Sequence, residues 1–169
     1  MKPNFAFYRL ITFILLPIAG YIALNLLFIL PSALANPSLL LPVFIYFAVA
    51  MYTFASFIFF VKGVQAGKPM KASLKDWIKV NAYVSIIFAL FAILATLTYL
   101  GSPQLQKIVA DNFDKFKTAM GQQSIDESKF LLFLKRSLIF LAVYSAVLVT
   151  HIIITLRIIK KYAGLFARK

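Results

Sequence analysis

Between Arg9 and Lys62 the chain has no charged side chain, a run of 52 residues, whereas one crossing of a bilayer's hydrocarbon takes roughly 20 residues of helix. A single span cannot absorb that run. It divides at Pro31-Ser-Ala-Leu-Ala-Asn-Pro37, two prolines framing small and polar residues, which is the composition of a turn between antiparallel helices. The first crossing is expected over about residues 10–30 and the second over about 39–61. A third uncharged run, Val80 to Gln106, holds a crossing over about 77–100, and a fourth lies over about 137–156.

Backbone amides in hydrocarbon must be paired within the protein, so spanning segments are helices or closed barrels, and apolar runs without period-2 alternation exclude the barrel. The expected fold is all-α, an integral membrane four-helix bundle forming a single membrane domain. Pro17 should kink the first span near Phe13 to Leu16. Met1-Lys2, an apolar stretch and Ala33-Leu34-Ala35 resemble a secretory leader with its cleavage site. About 20 apolar residues exceed the roughly 7–15 of a leader's core, so an uncleaved span is expected.

The net charge of +13 would suggest nucleic acid in a soluble protein. In a membrane protein the cations are first sorted by side. The N-terminal Lys2 and Arg9, the second connection (Lys62, Lys68, Lys71, Lys75, Lys79) and the C-terminal Arg157, Lys160, Lys161, Arg168 and Lys169 face one acid, Asp76. The first connection has no cation, and the third offsets its six with four of the chain's five acids. The positive-inside rule therefore puts both termini and the second connection in the cytoplasm of a bacterial-type cell inner membrane. Arg157, Lys160 and Lys161 are the candidate contacts to anionic lipid head groups. Short cationic segments lying against the bilayer, without interleaved aromatics, argue against nucleic-acid binding.

The third connection has helix signals of its own. Ser102 is a candidate cap before Pro103, Leu105, Val109, Phe113, Phe116 and Met120 recur at helical spacing, and Gly121 comes next as a stop. This predicts an amphipathic helix over about 103–120, between the third and fourth spans, lying in the outer interface or docking a partner. Asp111 and Lys115 are spaced for an ion pair, and Ser124-Ile-Asp-Glu127 has the form of a capping box.

Helices in lipid associate by close packing of small side chains. Ala82, Ser85, Ala89, Ala92 and Thr96 form such a stripe on the third span, and Ala19-x3-Ala23 and Ala142-x3-Ala146 repeat the device on the first and fourth. His151, about five residues beyond the middle of the fourth span, is the one ionisable group at hydrocarbon depth, and such a group is a functional candidate by default. Tyr144 shares its face, and Asn25 in the first span completes a candidate intramembrane polar site. Asn25 and Asn81 are expected to join helices by hydrogen bonds. Trp77, Tyr8 and Tyr162 suit an inner aromatic belt and Tyr99 an outer one.

With no Cys and one His, iron–sulfur clusters, Cys-based zinc sites, disulfides and bis-His haem within this chain alone are excluded, and no cofactor or metal is expected. No nucleophile–base pair, phosphate loop or paired acids at catalytic spacing occur, so no enzymatic activity is expected. The leading function is a small structural or assembly subunit of a larger membrane complex or homo-oligomer. The alternative is a small transporter or channel subunit with a polar pathway near His151.

Overall fold

The computed structural model describes residues 5–119 and 126–166. Its long helices are α1 (Ala6–Ala35), α2 (Leu40–Ile58), α3 (Ala72–Gly101) and α6 (Glu127–Lys161), with the shorter α4 (Pro103–Asp111) and α5 (Phe113–Ala119) between the last two. The described residues include no strand. A π-helical segment, Phe59–Gln65, prolongs α2, and short 3-10 turns occupy Pro37–Leu39 and Ala163–Phe166. Four segments are long and apolar enough to cross a membrane: 6–35, 37–65, 72–101 and 127–161. The protein is an all-α, multi-pass membrane protein. At Ala6, Gln65, Ala72 and both ends of α6 the helices run several residues past the uncharged stretch, because helix continues into the interface where charged side chains are solvated.

The turn after α1 and the turn after α3 are each set by a residue preceding proline. Proline crowds the residue before it out of the helical region. Asn36 is accordingly extended (φ −129°, ψ 101°) before Pro37, and Ser102 (φ −118°, ψ 98°) before Pro103. Each then caps the next helical turn: Asn36 Oδ1 accepts from the Ser38 amide at 3.2 Å, and Ser102 Oγ from the Leu105 amide at 3.2 Å. The sequence placed the first turn too early. Pro31 stays inside α1, as does Pro17, and the helix runs on to Ala35, Ser32 O accepting from the Asn36 amide at 2.9 Å.

The chain divides into two compact units, one of Met1–Phe88 with Val147–Lys169 and one of Ala89–Ala146. In the first, α1 packs along α2. Just beyond the π segment and its cap Ala66, Gly67, with a φ of +64°, supplies the left-handed residue that closes the helix, and the Lys68 amide donates to Lys62 O at 3.1 Å. Phe166 stacks on Phe59 with centroids 5.1 Å apart, and the Met70 amide donates to Leu165 O at 2.7 Å. These contacts fasten the C-terminal segment to the π segment.

In the second unit the amphipathic helix expected over 103–120 is broken at Asn112. Its side-chain Nδ2 donates to Ile108 O at 2.8 Å, competing for the carbonyl that its own amide also uses. Lys115 Nζ bonds Asn112 Oδ1 at 2.9 Å in place of the expected Asp111 pair. Phe113 is buried against Phe130, centroids 5.3 Å apart. Met120, Gly121 and Ser124 lie outside the described residues. The cap of α6 is Asp126, whose carboxylate accepts from the Ser128 amide at 2.8 Å, the Lys129 amide at 3.2 Å and the Ser128 hydroxyl.

Along α3 burial has a seven-residue repeat: Ile78, Ala82, Ser85, Ala89, Ala92, Thr96 and Tyr99 are all buried. All five members of the predicted seam are included. Thr96 Oγ1 donates to Ala92 O at 2.8 Å and reaches Leu138 O of α6 at 3.1 Å, an interhelical bond inside the second unit.

Candidate functional site

His151 is fully buried, and its ring makes two hydrogen bonds, each to a different helix. Thr12 Oγ1 of α1 is 3.0 Å from Nε2, and Tyr52 Oη of α2 is 2.7 Å from Nδ1. Below them Thr155 Oγ1 is 3.0 Å from Tyr8 Oη and 2.9 Å from Tyr52 Oη. Two aromatic rings wall the imidazole: Tyr8 stacked at 4.6 Å between centroids, and Tyr52 edge-on at 5.7 Å. Tyr8, Thr12, Tyr52, His151 and Thr155 are each 3% exposed or less.

Counting donors fixes the arrangement of protons. Thr12 Oγ1 donates its only hydrogen to Tyr8 O at 2.7 Å, so the ring must donate from Nε2 to Thr12. Nδ1 is then an acceptor and takes the Tyr52 hydroxyl. Thr155 donates to His151 O at 2.8 Å and accepts from Tyr8. The assignment, made from the network, leaves a neutral imidazole with both nitrogens occupied. Such a cluster pins α1, α2 and α6 together. Among the described residues no three His, Asp or Glu side chains are grouped to hold a metal.

The other sequence candidates fall elsewhere. Asn25 Nδ2 donates to Tyr21 O of its own helix at 2.8 Å, and Asn81 Nδ2 likewise to Trp77 O at 2.8 Å. Neither bond joins two helices. An amide in an apolar helix reaches the carbonyl one turn back whenever no neighbour presents a better partner. Tyr144 is buried in the second unit, and neither its hydroxyl nor that of Ser145 has a hydrogen-bond partner. Arg157, Lys160 and Lys161 are exposed at the C-terminal end of α6, with Lys161 Nζ 5.9 Å from the Tyr162 ring centre. Trp77 is exposed as a belt residue should be, but Tyr8 and Tyr99 are buried, Tyr8 because the His151 cluster recruits its hydroxyl.

Sequence reasoning found His151 but missed Tyr8, Thr12 and Tyr52. The available signal was two polar i, i+4 pairs, Tyr8 with Thr12 and His151 with Thr155, each forming one face of an otherwise apolar helix. Comparison with protein-family models, characterised proteins and solved structures returns no match.

Proposed function

We propose that this protein catalyses no reaction and serves as a small structural or assembly subunit, packing beside other membrane subunits or further copies of itself in a bacterial-type inner membrane, both termini cytoplasmic. The carrying observation is a polar face at hydrocarbon depth that the chain leaves uncovered. Asn25 and Tyr46 lie 11 and 10 residues on either side of Asn36, hence at similar depth, about 15 Å from the turn along each helix. With Tyr21 and Ile29 they line a shallow cavity of about 260 Å³.

Tyr21 is 69% exposed and Tyr46 is 42% exposed. Among the described residues, Asn25 Oδ1 and the two tyrosine hydroxyls accept or donate no hydrogen bond. A polar group left unpaired in hydrocarbon costs free energy, which a neighbouring helix bearing a hydrogen-bonding side chain recovers. The closed His151 cluster points the same way, since its polar groups are spent on holding helices together. The cation-poor first connection and the cation-rich tails support the orientation.

The test is association of the full chain in bicelles and in native membranes, with and without Asn25→Leu. The wild type should form a stoichiometric assembly, and Asn25→Leu should weaken it about three- to ten-fold, the ratio for one interhelical hydrogen bond of roughly 0.6–1.5 kcal/mol. A wild-type chain that stays monomeric and partnerless in its own membrane overturns the proposal.

A further inference from the structure

At the end of α1 that bears the N-terminus, Arg9 lines a second cavity, of about 260 Å³, formed between α1 and the end of α2 with its π segment. Arg9, Gln65 and Thr12 supply its polar lining, and Phe13, Phe57, Phe60 and Val61 its apolar lining. On α1 the charge comes at Arg9 and the first cavity-lining phenylalanine one turn later, at Phe13 beside Thr12, about 6 Å further along the helix. Arg9 is also the last charge before the long uncharged run, which sets it at head-group level.

The guanidinium is half-committed. With the Gln65 amide oriented to satisfy both partners, its oxygen accepts from Arg9 Nε and Nη2, each at 3.0 Å. A guanidinium has five N–H donors, so three remain. Among the described residues no carboxylate is paired with it. The π turn matters here, because wider winding alters the angular spacing of side chains and Gln65 lies at its end. A cation with one edge fixed by an amide and the other free, above an aromatic slot, matches a phosphate carrying an apolar tail.

We propose that this cavity binds the phosphate of an anionic phospholipid, Arg9 forking the phosphate oxygens, Gln65 holding the guanidinium plane, and the top of an acyl chain lying along Phe13 and Phe57. The volume falls below the roughly 300–1,000 Å³ of pockets that enclose a whole drug-sized ligand, which suits a head group whose tail stays in the bilayer. A zwitterionic lipid fits less well, since its ammonium would find Lys62 on the same π segment and no carboxylate in the lining. The site is distinct from Arg157, Lys160 and Lys161, which are exposed on α6 with no cavity of their own among those described.

The experiment is native mass spectrometry of the full chain released from nanodiscs of phosphatidylglycerol, phosphatidylcholine or their equal mixture. Expected is one retained phosphatidylglycerol per chain, with phosphatidylcholine retained at least about five-fold less. Arg9→Leu should reduce retention about five-fold or more, the ratio equivalent to roughly 1 kcal/mol for one cation at an anionic surface, and Gln65→Leu, which frees the guanidinium plane, should reduce it in the same direction. Lys160→Gln with Lys161→Gln should leave it unchanged. Millimolar inorganic phosphate should not displace the lipid. Equal retention of the two lipids, unchanged retention in both Arg9→Leu and Gln65→Leu, an equal loss in the Lys160/Lys161 variant, or displacement by inorganic phosphate would each overturn the proposal. Because Arg9 is exposed at a helix end, its removal should leave the fold intact, and Gln65→Leu checks the site without removing the charge.

Discussion

Replacing Tyr52 by phenylalanine removes one oxygen atom and tests whether the His151 cluster fastens three helices. The hydroxyl bonds His151 Nδ1 at 2.7 Å and contacts Thr155 Oγ1 at 2.9 Å, at a site with no solvent exposure. Interhelical hydrogen bonds in membrane proteins average about 0.6 kcal/mol and reach about 1.7. Losing the one bond to His151, with Nδ1 left unpaired in a dry environment, puts the loss at about 1–3 kcal/mol; the Thr155 contact has no hydrogen of its own, since both hydroxyls donate elsewhere. His151→Leu should cost a similar amount by releasing Thr12 and Tyr52. The coupling energy separates a specific bond from lost volume. Tyr52→Phe and His151→Leu, combined in a double-mutant cycle, should interact by about 0.6–1.7 kcal/mol. Reversible unfolding in mixed micelles, monitored by fluorescence of the single tryptophan, Trp77, gives the four free energies. A Tyr52→Phe variant as stable as the wild type, or coupling below about 0.3 kcal/mol, would refute the reasoning.

Packing and helix caps supply the other predictions. Ala89→Leu should destabilise by about 1–3 kcal/mol by overfilling a fully buried position of the α3 seam, measured in the same unfolding assay, whereas Leu90→Ala on its exposed face should change little. Gly63→Leu should loosen the C-terminal segment, because a Cβ there already meets Met70 Cγ at 3.1 Å and Phe59 Cδ2 at 3.2 Å, and faster proteolysis beyond Tyr162 would report it. The Ser128 hydroxyl, then the Lys129 and Ser128 amides, hold the Asp126 carboxyl below its ordinary value. Its folded value is depressed, so its contribution is complete above the ordinary carboxylate value and is lost as pH falls below it. Amide protection in the first turn of α6 should therefore decline in acid, and Asp126→Ala should remove both the protection and its pH dependence.

How much of this architecture could be read from the sequence depended on how locally each feature is determined. The spans were legible because a bilayer imposes length and apolarity residue by residue, and Arg9, Lys62 and Lys107 delimit the runs. The buried stripe of α3 was legible because small residues spaced three and four apart need no knowledge of the partner. The break at Asn112 was not, since Leu105, Val109 and Phe113 keep helical spacing across it, and the side-chain bond to Ile108 O lies outside that pattern. Pro31 misled for a related reason: proline weakens a helix locally, yet the end of α1 was decided by the constraint that Pro37 places on Asn36. The His151 cluster needed three helices to meet, which pairs residues 139 and 99 positions apart in sequence. Periodicity along one helix carries no such information.

Whether the chain crosses the membrane four times can be measured directly, because it contains no cysteine of its own. Single cysteines at Asn36, Lys68, Asn112 and Ala163, probed with a membrane-impermeant maleimide before and after permeabilisation, should give two pairs: Asn36 with Asn112 labelled from outside, Lys68 with Ala163 only from within. Labelling that puts Asn36 and Asn112 on opposite faces, or Lys68 on the same face as Asn36, would contradict four crossings.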